Sequence, residues 1–120
     1  MTYKAYYYLK PGGRAPLEEY LANLRNKLLE AHIKALIDKL IERGGTLPYP
    51  FIKYVWKKVY ELRLAHLGSQ HRIFYFIHMA GKIILLDGFT KKTPKIPQRL
   101  LKKIQSYYQN YLVYRYEKPY

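Results

Sequence analysis

The stretch from Val59 to Lys92, VYELRLAHLGSQHRIFYFIHMAGKIILLDGFTKK, constrains the fold most, because it holds three short apolar runs joined by two tight polar breaks. Breaks that short join antiparallel strands, so the stretch reads as a β-meander. In its first strand Tyr60, Leu62 and Leu64 fall on one face, with Glu61 and Arg63 on the other. Ile73, Tyr75 and Ile77 alternate in the next with Arg72, Phe74 and Phe76. Both faces of that strand are apolar, which predicts a central strand covered on two sides. The turns fall at Ala65 to Gln70 and at Ala80-Gly81-Lys82; Ile83 to Leu86 is the last strand, ending in a bend at Gly88.

Upstream, Tyr3 to Leu9 is rich in Tyr and stops at Pro11-Gly12-Gly13, which reads as a further strand. Pro16 suits a helix start, with Glu18 and Glu19 at the positive end of its dipole. From Leu17 to Leu40 apolar residues recur every three or four positions, until Gly44-Gly45. This pattern allows one long helix or two broken near Asn23 to Lys27. His32, beside the stripe, reads as a partly packed structural residue. Leu47 to Tyr54, with Pro48 and Pro50, reads as an extended connector, with Phe51 and Trp56 covering an edge of the core. For Trp56, stacking on a base is the competing reading. A last helix from Pro97 places Leu100, Ile104, Tyr108 and Tyr111 on one side and Arg99, Lys102 and Lys103 on the other, followed by a loose tail over residues 113–120. The expectation is one α+β domain spanning residues 1–120. Its mainly antiparallel sheet of about four strands is backed by an N-terminal helical hairpin, with a C-terminal helix beside it.

The 120 residues can bury a core unaided, and the absence of Cys excludes disulfides and thiolate chemistry. No apolar run reaches the roughly 20 residues that cross a bilayer, and the N-terminus lacks a signal-peptide core, so a cytoplasmic protein is expected. The formal net charge is +14, and residues 51–120 hold 14 of the 22 basic residues against 3 of the 8 acidic ones. A field of that sign favours a nucleic acid over a membrane, the bland alternative being an inert basic surface.

His32, His66, His71 and His78 lack metal-ligand spacing, and no glycine-rich phosphate loop or catalytic serine setting occurs, so no cofactor is expected. What remains is Arg63, Arg72, Lys91 and Lys92 at one sheet edge. Cleavage of RNA through its own 2′-OH needs alignment, proton removal, neutralisation of the phosphorane and protonation of the leaving oxygen. Crowded cations supply most of this and lower a lysine's pKa, which makes Lys91 or Lys92 a candidate acid or base, with His71 or His66 as alternatives. Against this stand salt bridges from Arg63 and Arg72 to Glu61 or Asp87, and a merely solvated Lys91-Lys92 pair. Lys82, Arg99, Lys102 and Lys103 are candidate RNA-binding cations.

Tyr60-Glu61-Leu62-Arg63, His71-Arg72 before an aromatic strand, and Leu85-Leu86-Asp87-Gly88-Phe89-Thr90-Lys91-Lys92-Thr93 together resemble the phage-derived HigB-like branch of the RelE toxin superfamily. The resemblance covers residues 3–112. It implies a small RelE-like fold and a toxin of a type II toxin–antitoxin pair that cleaves mRNA without metal, usually on the ribosome. It also implies restraint by an antitoxin encoded alongside, expected to be a helix-turn-helix protein. By position Arg63 and Arg72 correspond to the family's phosphate-contacting strand cations, and Lys92, with Lys91, to the basic residue after the last strand. The chain departs from the pattern in having His71 before Arg72, Ile96 before the last Pro, and Gln98 where relatives carry a catalytic Tyr or His. The general acid and base are thus unassigned. A non-catalytic nucleic-acid-binding module and a basic surface for an acidic protein partner are the rival readings.

Overall fold

The apolar stripe from Leu17 to Leu40 folds as two helices, α1 (Pro16–Asn23) and α2 (Lys27–Glu42). The computed structural model describes residues 2–92 and 95–120; Thr93, the end of the LLDGFTKKT motif, and Pro94 lie outside them. The stripe breaks because Asn26 leaves helical geometry and its side chain accepts the Leu29 N–H at 3.0 Å, capping a new helix start.

Among the described residues six strands form one sheet: β1 (Lys4–Tyr8), β2 (Ile52–Trp56), β3 (Val59–His66), β4 (Ser69–His78), β5 (Lys82–Lys91) and β6 (Glu117–Pro119). Their order is β2-β3-β4-β5-β1-β6, with β1 parallel to β5 and the other pairs antiparallel. The meander is thus present with β4 inside the sheet. The expected count of four strands is corrected to six. The expected connector, Leu47 to Tyr54, gives way at Ile52 to an edge strand that runs to Trp56 and pairs with β3. Of the expected loose tail, residues 113–114 end the last helix and Glu117–Pro119 form β6, held on β1 by its ladder and by the Tyr120 N–H donating to the Ala5 carbonyl at 3.1 Å.

Each sheet face has its own core. On one, Leu17 and Leu21 of α1 and Leu29, Ile33, Ile37 and Leu40 of α2 pack on Leu62, Ile73, Tyr75, Ile83 and Leu85. On the other, Leu100, Ile104, Tyr108 and Tyr111 of α3 (Gln98–Tyr114) pack on Val59, Phe74, Phe76, Ile84 and Leu86. The last helix therefore covers the second face instead of lying beside the sheet, as the two-sided apolar pattern of β4 requires. No helix among the described residues is long and apolar enough to cross a membrane.

Candidate nucleic-acid interface

The α3 face of the sheet changes character where α3 begins. Arg63 on β3 lies directly opposite Arg72 on β4, Gln70 on β4 opposite Lys91 on β5, and Lys53 on β2 opposite Glu61 on β3. Directly opposed residues share a face, so these side chains form one polar field beyond Phe74.

Lys91 reaches that face because β5 contains a bulge. Phe74 pairs with Asp87 while Tyr75 pairs with Leu85, leaving Leu86 as an inserted residue. Leu86 and Asp87 consequently both face α3: Leu86 joins its core, and Asp87 makes an ion pair with Lys103 at 3.1 Å. Alternation then resumes with Gly88 and Thr90 towards Tyr20 of α1, and Phe89 and Lys91 towards the α3 side. Without the inserted residue Lys91 would point to the opposite face. The strand does not end at Gly88, as was anticipated, since β5 runs through it to Lys91. Its lack of a side chain serves a close approach: a Cβ there would lie 2.2 Å from Cδ2 of Tyr20.

Within the field Arg72 is 2 % exposed, as is Glu61, whose Oε2 lies 3.4 Å from Arg72 Nε. Neither of these two atoms makes a hydrogen bond, so the contact is an ion pair held by charge. Arg72 Nη1 donates to the His71 carbonyl at 3.1 Å and to Gln70 Oε1 at 3.4 Å. The expected alternative of a salt bridge is thus realised for Arg72 with Glu61. Arg63 and Lys91 are partly exposed and have no ion-pair partner among the described residues. Desolvation, then the charges of Arg72, Arg63 and Lys53, lower the pKa of Lys91 against the opposing pull of Glu61. Burial, and then the charge of Arg63, also lower that of Arg72, opposed by Glu61; a guanidinium nevertheless stays charged at neutral pH.

α3 starts beside this field without an acidic residue in its first turn and without a side-chain cap, so its dipole adds to the positive potential. A cavity of about 380 Å³ between Phe89 and that turn is lined by Arg99 and Lys103.

The geometry divides the expected residues. Arg63, Arg72 and Lys91 share one face, while Lys92 is exposed just beyond β5. His71 occupies the opposite face, as the immediate neighbour of Arg72 on a strand must. It is 2 % exposed, and its Nδ1 lies 3.0 Å from the Tyr20 hydroxyl and 3.2 Å from that of Thr90. Ser69 donates its hydroxyl hydrogen to the His66 carbonyl, so at 2.8 Å it accepts from His71 Nε2, which assigns the proton to Nε2. Burial, with His66 and Arg72 adding to it, lowers the pKa of His71 and keeps it neutral. A histidine so placed holds α1 to the sheet and is remote from the cationic face. His32, expected to be partly packed, is exposed and sits 3.2 Å from His66 through their Nδ1 atoms.

Of the other cations, Arg99 and Lys102 are exposed and Lys103 is paired with Asp87. Lys82 pairs with Glu117 at 3.0 Å, at the opposite end of β5 from Lys91, roughly 30 Å away for a strand of that length. Trp56 packs edge-on against Tyr108 at 5.5 Å, the core role. Lys53 and Gln70 were not singled out from the sequence. The alternation in Ile-Lys-Tyr-Val-Trp was the available signal for Lys53, and the prolines before it obscured that signal.

A family model described as Phage derived protein Gp49-like (DUF891) matches residues 19–109, about three quarters of the chain. The chain belongs to this family. The Gp49-like family is toxin-like and related to RelE and HigB. Its matched segment runs from α1 through most of α3 and contains every residue of the cationic face. A comparison with curated proteins finds no match.

Proposed function

We propose that this Gp49-like protein is the toxin of a type II toxin–antitoxin pair and acts as an mRNA endoribonuclease on the translating ribosome. The observation that carries the reading is the convergence of Arg63, Arg72 and Lys91 on one face at the start of α3. RNA supplies its own nucleophile, so the chemistry asks for charge and proton transfer and no metal. The 2′-oxygen bonds to phosphorus and gives its proton to neutral Lys91 Nζ. The bond from phosphorus to the 5′-oxygen breaks, and the leaving oxygen takes a proton from water. The products are a 2′,3′-cyclic phosphate and a new 5′-OH end. Arg63 contacts the phosphate and neutralises the phosphorane. Arg72, buried beneath, is a positioning residue that holds Gln70 and contributes to the field that lowers the pKa of Lys91. The antitoxin, expected to be a helix-turn-helix protein encoded alongside, restrains the activity.

Mapping of mRNA 5′-OH ends in a translating extract tests this. Wild type generates new ends, and Lys91→Ala, with its fold confirmed by circular dichroism, yields on the order of a hundredfold fewer. The same assay on ribosome-free mRNA decides ribosome dependence. Burial of Arg72 against Glu61 favours a second reading, an RNA-binding module without turnover. Salt-dependent binding with no new ends from wild type would establish that reading and remove the first.

A further inference from the structure

The turn before β2 places two aromatic rings beside the cationic face. Phe51 is 42 % and Tyr49 82 % exposed, although both are large and apolar enough to be buried. Their position is fixed by backbone: the Phe51 N–H donates to the Pro48 carbonyl at 3.0 Å, and its own carbonyl accepts the Arg63 N–H at 2.7 Å. Tyr49, Phe51, Arg63 and Gln70 line a surface cavity of about 240 Å³. This lies below the ~300–1,000 Å³ of pockets for drug-sized ligands and suits a single ring system.

Gln70 gives the cavity a chemical preference. An arginine only donates, so the Arg72 Nη1 contact at 3.4 Å is to the amide oxygen, and the NH₂ group makes no hydrogen bond among the described residues. A free side-chain amide pairs with a base through both donor and acceptor; here the oxygen already carries the Arg72 contact on one of its two lone pairs, so the NH₂ donor is the group with its full capacity unused.

We propose that this cavity binds one unpaired RNA base, stacked on Phe51 or Tyr49, and that Gln70 donates to the carbonyl oxygen at C4 of uracil or C6 of guanine, selecting them over cytosine and adenine, which carry an amino group at that position. Arg63 holds the adjoining phosphate. The site deepens the preceding proposal and rests on its premise that this face meets RNA.

Binding is separated from cleavage by using 2′-O-methyl hexanucleotides, which lack the nucleophile. Fluorescence anisotropy at fixed salt compares labelled oligouridylate with oligocytidylate on the full chain. Wild type binds the uridine strand about tenfold more tightly. Gln70→Leu removes that difference. Phe51→Ala or Tyr49→Ala weakens binding of both strands about tenfold. Both aromatic positions are exposed, and thermal melts confirm that the variants fold. Equal binding of the two strands by wild type, or no weakening by either aromatic variant, overturns the pocket even where the extract shows new 5′-OH ends. A uridine preference that depends on Gln70 and an aromatic residue, with no new ends, upholds the pocket and removes the nuclease reading. Absence of both binding and ends removes both.

Discussion

Arg63 stands directly opposite Arg72 across the β3–β4 ladder, and of the two only Arg72 has a carboxylate beside it among the described residues, Glu61, at 3.4 Å. Like charges in directly opposed positions repel. The pair persists because Glu61 neutralises the buried member while Arg63 retains water. An arriving phosphate would complete the balance from the solvent side. Glu61 is therefore as much a part of the face as the cations.

Removing Glu61 leaves a buried guanidinium without its counter-charge. Glu61→Gln is expected to destabilise the fold by about 3–5 kcal/mol, read from urea denaturation. Glu61→Gln combined with Arg72→Met removes both charges and should recover most of that loss. Equal stability of the single variant and wild type would show that the ion pair is not sustaining the buried arginine.

If Lys91 takes the proton of the 2′-OH, single-turnover cleavage must rise with pH as the amine deprotonates, with an inflection below lysine's ordinary 10.5. Arg63→Gln removes a like charge, so the Lys91 pKa rises and the inflection moves to higher pH. The position of the inflection is independent of how much rate the variant loses through phosphate contact. An inflection that stays in place would exclude Lys91 as the base.

Gly88 packs against the ring of Tyr20, and an added Cβ would lie 2.2 Å from it. Gly88→Ala should cost about 2 kcal/mol or more in stability by overpacking. It should also disturb the Tyr20, Thr90 and His71 hydrogen bonds. In the background of Tyr20→Ala the same substitution should cost much less, which a thermal-melt double-mutant cycle would show.

His71 stays neutral in the fold, with its pKa lowered by burial, and His78 behaves alike. The unfolded chain takes up these protons first as the pH falls below the ordinary 6.5. Their contribution is intact above that value and is lost progressively as the pH falls towards the lowered folded values. Urea midpoints should be lower at pH 5 than at pH 7.5, as an order-of-magnitude reading of linkage over about this range, and His71→Gln should flatten the dependence.

β6 closes one sheet edge, and its Glu117 accepts from Tyr111 and pairs with Lys82. Truncation after Arg115 should lower the melting temperature and expose the β1 edge to pairing between chains. Light scattering at rising concentration would detect that association. A truncated chain that stays monomeric and as stable as the full one would show β6 to be dispensable.

The helical stripe, the meander and the central place of β4 were legible because each follows from a local period in which apolar residues recur. The shared face of Arg63 and Arg72 was legible for the same reason; the same alternation puts His71 on the other face, although it was expected as a candidate acid or base beside them. β2 was hidden by Pro48 and Pro50, and β6 is three residues whose strand character depends on a partner more than 100 positions away. Asn26 is an ordinary polar residue until its side chain is seen to receive the Leu29 N–H.

What the sequence by itself determined was the set of elements and the charge they carry, since both reside in the order of residues. Only the tertiary structure decided that Lys91 joins the arginines. That depends on Leu86 being inserted into β5 opposite Phe74 and Tyr75, a matter of pairing between two strands. A period of two carries no mark of the residue at which it is broken, so one bulge moves every later side chain to the other face without changing any local preference.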